Sequence, residues 1–179
     1  MMRIAIAGAS GRMGRTLIEL VSQSADLSLA AALDVAGSPM LGQDACAFLG
    51  KPSGVLITDQ LSALKGAECL IDFTRPEGSL LHLTACTEFG VNLVLGTTGF
   101  DEAGKAAIAH AADMGDLSAG NCESIQRLFI EILGNAGERT FAGHEFAVVA
   151  VKHRAPRIRM TVAWSAANHG EPNSLRVFN

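Results

Sequence analysis

The chain has 179 residues, of which 49% are apolar and 18% charged, enough for one full domain with a large core and a small second domain. Its net charge of −4 argues against a general nucleic-acid binder, and no apolar run approaches the ~20 residues of a membrane span. The first residues show no signal-peptide layout and the four cysteines, Cys46, Cys69, Cys86 and Cys122, form no C-x-x-C pair, so a cytoplasmic protein with buried reduced thiols and no metal site is expected. In chain order, a short apolar strand over residues 3–7 runs into Gly8-Ala9-Ser10-Gly11-Arg12-Met13-Gly14, and an amphipathic helix follows over 15–21. The spacing G-x-x-G-x-x-G is a variant of the dinucleotide fingerprint. Glycine lets the backbone turn tightly and approach a ligand, and the helix behind it aims unpaired N–H groups at an anion. The alternative is a strand-to-helix turn without a ligand.

A second strand over residues 27–33 ends at Asp34, twenty residues after Gly14. An acidic residue there reaches the adenosine ribose of a dinucleotide. Gly37, Ser38 and Pro39 follow, so a turn aspartate is the alternative. Its neighbour is Val35 and not an arginine, so no positive charge waits beside it for a 2′-phosphate. NADH is therefore expected to be preferred, with NADPH the second choice.

Residues 36–54 read as a loop with at most a helical turn, 55–58 as a third strand, and 61–65 as a short helix with Asp59 as its N-cap. A buried parallel strand follows over 68–73, then a turn over 74–78 and a helix carrying Leu80, Leu81, Leu83, Ala85 and Cys86. His82 in that helix is expected to be solvated or capping. The next strand, 91–95, runs into Gly96-Thr97-Thr98-Gly99-Phe100, and Asp101 opens a helix through Ala112. Strand and helix alternate as in a doubly wound parallel α/β sheet of Rossmann-like type, whose ligands lie beyond the carboxyl ends of the strands. Gly8, Asp34, Phe73, Thr74, Gly96 and Thr98 all fall at such ends.

The glycine turn, Ile71-Asp72-Phe73-Thr74-Arg75-Pro76-Glu77-Gly78 and Gly96-Thr97-Thr98-Gly99-Phe100 together resemble the bacterial 4-hydroxy-tetrahydrodipicolinate reductases, enzymes of the diaminopimelate–lysine pathway. A weaker match, residues 117–122, resembles the handover to the family's substrate domain. The resemblance implies NAD(P)H-dependent reduction of a cyclic, unsaturated dicarboxylate. It puts Gly8, Ala9, Ser10, Gly11, Arg12 and Met13 around the pyrophosphate, where the Arg12 guanidinium can make charge-assisted bonds. It puts Asp34 on the ribose, Gly96, Thr97 and Thr98 near the nicotinamide, and Phe73 and Thr74 along the same cleft. Ala119, Gly120, Asn121 and Cys122 would close over the nicotinamide.

The match covers residues 1–122, the expected dinucleotide-binding domain; residues 123–179 are expected to form a short α+β cover, a reduced substrate or oligomerisation region. The family's His-His-x-x-Lys-x-Asp-Ala-Pro-Ser-Gly-Thr-Ala segment, which supplies the proton donor and holds the substrate carboxylates, does not occur here. The tail reads as a helix over 125–134 and strands over 146–151 and 159–164. Lys152, His153, Arg154, Arg157 and Arg159 form its basic cluster. Lys152 and Arg154 could clamp a dicarboxylate and His153 could donate a proton; the alternative is a solvated positive face. Two readings follow: a reductase of this family, or an NADH-binding module or truncated member without turnover. No nucleic acid or membrane is expected as a partner, and an oligomeric state does not follow from these residues.

Overall fold

The structure, a computed structural model, describes residues 1–113 and two later strands, Phe146–Val151 and Thr161–Ser165. Seven strands form one sheet: β1 Met2–Ala7, β2 Leu27–Leu33, β3 Ile57–Thr58, β4 Cys69–Asp72, β5 Asn92–Leu95, β6 Phe146–Val151 and β7 Thr161–Ser165. Their spatial order is β3-β2-β1-β4-β5-β6-β7. The first five are parallel to their neighbours, whereas β6 lies antiparallel to β5 and β7 antiparallel to β6. Three helices, α1 Arg12–Gln23, α2 Pro76–Phe89 and α3 Glu102–Asp113, complete the described elements apart from short 3₁₀ turns.

The central strands are mostly apolar because both faces of the sheet are covered. Ile4, Ile6, Ile71 and Val94 face one side, where α1 brings Leu17, Ile18 and Val21. Ala5, Ala7, Leu70, Leu93 and Leu95 face the other, against Leu83 and Cys86 of α2 and Ile108 of α3. The buried stripe of α1, at Gly14, Leu17, Ile18 and Val21, has the one-face spacing of an amphipathic helix. The order of the parallel strands reverses between β1 and β4, and this switch point is where such sheets open a crevice for a ligand.

Several boundaries differ from expectation, each for a local reason. Helix α2 starts at Pro76 and not after Gly78, because proline suits the first helical position. Strand β3 is only two residues long; Leu56 instead makes a lone antiparallel bridge to Asp44. The segment Leu61–Gly66 is 3₁₀ rather than α, and Asp59 does not cap it. The Asp59 carboxylate accepts from Gln60 Nε2 at 2.6 Å instead. By contrast Asp101 does cap α3, accepting from the Gly104 N–H at 2.7 Å. The loop between β2 and β3 is pinned by Asp44, whose carboxylate accepts from the N–H groups of Cys46, Ser53 and Gly54 and from Ser53 Oγ. These donors, the Ser53 N–H first, hold its carboxyl below the usual carboxylate range.

In the tail, β6 and β7 widen the sheet at its β5 edge. The expected helix over 125–134 lies outside the described residues. No helix among the described residues is long and apolar enough to cross a membrane. Cys46, Cys69 and Cys86 are buried, and Cys122 lies outside the described residues.

Candidate functional site at the carboxyl edge of the sheet

The site is built where β1, β2, β4 and β5 end. Strand β1 leaves the sheet at Ala7, and Gly8 follows with φ +70°, a left-handed conformation that glycine adopts without strain. The Gly11 N–H returns to the Gly8 carbonyl at 2.9 Å, and the Ala9 N–H donates to the Leu33 carbonyl at 2.9 Å, tying the turn to the end of β2. Gly14 is required for a different reason. A Cβ there would collide with the Gly8 carbonyl, so its absence lets α1 press against the turn.

Helix α1 opens without a side-chain cap: Gly11 is its N-cap, and the Arg15 N–H donates to the Gly11 carbonyl at 3.0 Å. The N–H groups of the first turn therefore have no intrahelical acceptor, and the positive end of the helix dipole faces the crevice. Its first turn holds no acidic side chain, and Arg12 is exposed there. This arrangement suits an anion.

Asp34 lies just past the end of β2, half-buried, its own N–H donating to the Thr58 carbonyl at 3.0 Å. Its two carboxylate oxygens are oriented separately, Oδ1 by the Val35 N–H at 2.9 Å and Oδ2 by Ser38 Oγ at 3.0 Å. Each oxygen keeps acceptor capacity beyond that bond. Val35 beside it is 72% exposed, so the carboxylate has an apolar and not a cationic neighbour.

The loops after β4 and β5 close the other half of the site. Ala7 of β1 is in register with Asp72 of β4, and Asp72 with Leu95 of β5, so the three exits stand side by side. The Thr74 methyl lies 3.0 Å from where a Cβ on Gly8 would sit. The Phe73 ring lies so close to Gly96 that a Cβ on Gly96 would collide with it. Thr98 is exposed, but Thr97 is only 6% exposed and its hydroxyl is turned inward.

Beneath these loops lies a buried polar network that the sequence reading missed. Asp72 is fully buried. Its Oδ1 accepts from the Thr74 N–H at 2.8 Å and Thr74 Oγ1 at 2.6 Å, with Thr97 Oγ1 at 3.5 Å. Its Oδ2 lies 2.7 Å from His82 Nδ1. Ser79 Oγ donates to Thr97 Oγ1 at 2.7 Å and stands 3.3 Å from Thr74 Oγ1. Burial pushes the Asp72 carboxyl up, but the hydrogen bond and charge of His82 and the two Thr74 donors outweigh it, and the group is held below its usual range. An ionised carboxylate only accepts, so His82 Nδ1 carries the proton between them.

His82 is thus neither solvated nor capping; its side chain is only 13% exposed and is committed to Asp72. Cys86, one turn further along α2, is pushed up to about 12 by burial and by the Asp72 charge, which keeps it a thiol. The available signal was spacing: Ser79, His82 and Cys86 recur at helical intervals on one face of α2, facing an aspartate at a strand end.

The structure therefore brings Gly8, Ala9, Ser10, Gly11, Arg12, Met13, Asp34, Phe73, Thr74, Gly96, Thr97 and Thr98 to one edge of the sheet. Ala119, Gly120, Asn121 and Cys122 lie outside the described residues, as do Lys152, His153 and Arg154. The strand before those last three runs antiparallel to β5. Its Val149 pairs with Leu95 and its last residue, Val151, with Leu93, so β6 heads away from the edge that carries the glycine turn.

A doubly wound order, a glycine turn at its switch point and an acidic residue after β2 define a Rossmann-type dinucleotide-binding domain. A family model described as dihydrodipicolinate reductase, N-terminus, matches residues 2–122. The chain is 54% identical over 155 residues to the 4-hydroxy-tetrahydrodipicolinate reductase of Cupriavidus taiwanensis, and 49% identical over 155 residues to that of Herminiimonas arsenicoxydans. Each alignment covers 86% of this chain and 58% of the relative. A solved structure, the dipicolinate-bound dihydrodipicolinate reductase from Paenisporosarcina sp. TG-14, superimposes with a TM-score of 0.51 at 25% identity. That match covers 64% of this chain and 44% of the other. The chain belongs to the dihydrodipicolinate reductase family, and it spans 58% of the length of these curated relatives.

Proposed function

We propose that the protein serves NAD(P)H-dependent reduction of 4-hydroxy-tetrahydrodipicolinate in the diaminopimelate–lysine pathway, and that its described residues carry the cofactor. The observation that carries this reading is the uncapped start of α1 behind the Gly8–Gly14 turn, set at the switch point beside Asp34. The pyrophosphate would lie on the first-turn N–H groups of α1 with Arg12 beside it. Asp34 would accept from the ribose hydroxyls through its remaining lone pairs. Phe73, Thr74, Gly96 and Thr98 would line the nicotinamide half, and Ala119 to Cys122 are proposed to close over it. The bound nicotinamide supplies the hydride, and the protein's part is to hold the ring against the substrate.

NADH is the proposed preferred cofactor over NADPH. A 2′-phosphate would meet the Asp34 carboxylate, and the exposed neighbour Val35 offers no compensating charge. His153 is the proton donor proposed from sequence, with Lys152 and Arg154 on the substrate carboxylates. A cytoplasmic location is likewise proposed, and residues 123–179 are proposed as a substrate or oligomerisation region.

Fluorescence titration of the chain with NADH and NADPH tests the reading. Tighter binding of NADH is expected, and Asp34→Ala should weaken it about 10- to 100-fold, the worth of hydrogen bonds to a charged group. Unchanged affinity in the variant would remove Asp34 from the site. A steady-state assay with the pathway substrate, run alongside, separates a working reductase from a module that binds NADH without turnover.

A further inference from the structure

Asp72, Ser79 and His82 have no part in the cofactor contacts above, yet through Thr74 and Thr97 they join the two loops that would make them. The loop after β4 carries Phe73 and Thr74, and the loop after β5 carries Gly96, Thr97 and Thr98. They leave adjacent parallel strands, and the Gly96 N–H donates to the Asp72 carbonyl at 2.8 Å. Side chains tie them further. Asp72 Oδ1 gathers Thr74 from one loop and stands 3.5 Å from Thr97 of the other, and Ser79, in the first turn of α2, bridges Thr97 and Thr74. His82 takes the second carboxylate oxygen and so sets the rotation of the carboxyl group.

Every member of the network is satisfied: among the described residues no buried side-chain nitrogen or oxygen lacks a partner. Such a closed network is rigid, because removing one member strands the others in a low-dielectric interior. It also decides which threonine faces the crevice. With the Thr97 hydroxyl bound inward, Thr98 is the one left exposed.

We propose that Asp72 and His82 are positioning residues for the nicotinamide half of the cofactor. Acting through Thr74, Ser79 and Thr97, they fix the separation of the loops after β4 and β5 and hold the Phe73 ring over Gly96. The proposal rests on the reading of this edge as a dinucleotide site. It assigns the adenosine half to other groups, the glycine turn and Asp34, which the network does not touch.

The test compares NADH with ADP-ribose, which keeps the adenosine, pyrophosphate and second ribose but lacks nicotinamide, on the full chain. His82→Ala is expected to weaken NADH about tenfold, the scale of one charge-assisted hydrogen bond, and to leave ADP-ribose within about twofold. His82→Asn, whose amide donor stands in for Nδ1, should restore NADH affinity. Thr97→Val keeps the side-chain shape and deletes the hydroxyl, so it should repeat the selective loss if His82→Ala fails to fold. Amide hydrogen exchange on the unliganded variants should speed up at residues 73–79 and 96–99, and not in the glycine turn. Equal weakening of both ligands, or an unchanged NADH affinity, would overturn the proposal while leaving the dinucleotide site standing. If the unsubstituted chain bound neither ligand, the dinucleotide reading itself would fall and this proposal with it.

Discussion

Gly14 has a role set by contact and not by conformation. Its backbone is ordinary helix, but a side chain there meets the Gly8 carbonyl and forces α1 off the turn. Gly14→Ala is therefore expected to cost about 1–3 kcal/mol, the usual range for overpacking, read as a lower urea midpoint. NADH affinity should fall with it, because the first-turn N–H groups move with the helix. Gly8 differs, since its φ of +70° penalises a side chain through the backbone as well as through the nearby Thr74 methyl. Asp34 shows the same economy beside the glycine turn. Two local donors orient its carboxylate before any ligand arrives, which lowers the entropy lost on binding.

The helices differ in how their ends are made. α1 opens on a bare glycine with no side-chain cap, α2 opens on proline, and α3 is capped by its own Asp101. The last of these satisfies a donor of the helix itself. Asp101→Ala should lower the stability of the chain by about 1 kcal/mol and Asp101→Ser should recover most of it, measured by denaturant unfolding. α2 departs from a simple amphipathic pattern because its inward face carries Ser79 and His82 for the Asp72 network, while Leu81 is 63% exposed. Strand β6 differs from the five before it in direction, and that direction carries the chain toward the edge of the sheet opposite the glycine turn.

For the molecule as a whole, Asp72 links the site to acid stability. Its carboxyl is held below the ordinary value in the folded chain, so its ionised form stabilises the fold. That contribution is complete above the unfolded value, near 3.8, and is lost as pH falls through the lowered one. Asp44 shares the sign, but it lies at the surface, where solvent screens its contribution. Asp72→Asn should therefore be less stable than the unsubstituted chain near neutral pH, and the gap should narrow below about pH 4. Urea midpoints at three pH values check this; a gap independent of pH would remove the Asp72 charge from the balance.

The local geometry of the candidate site was legible in the residues alone. A glycine turn after an apolar strand, an acidic residue after the next strand and two short loops with glycine and threonine each follow from rules that act within a few residues. The motifs matched the family that the comparisons show, and β6 falls at its expected residues 146–151, whereas β3 is shortened to Ile57–Thr58 and β7 is shifted to Thr161–Ser165. What the residues alone left open were contacts between segments distant in the chain. That Thr97 turns inward to Ser79 and that His82 serves a buried Asp72 depend on β4 and β5 lying side by side with α2 across them. The opening glycine turn thus predicted an anion site from local geometry, whereas the setting of the loops opposite it is decided by packing, where one carboxylate with no access to water must find all its partners inside the fold.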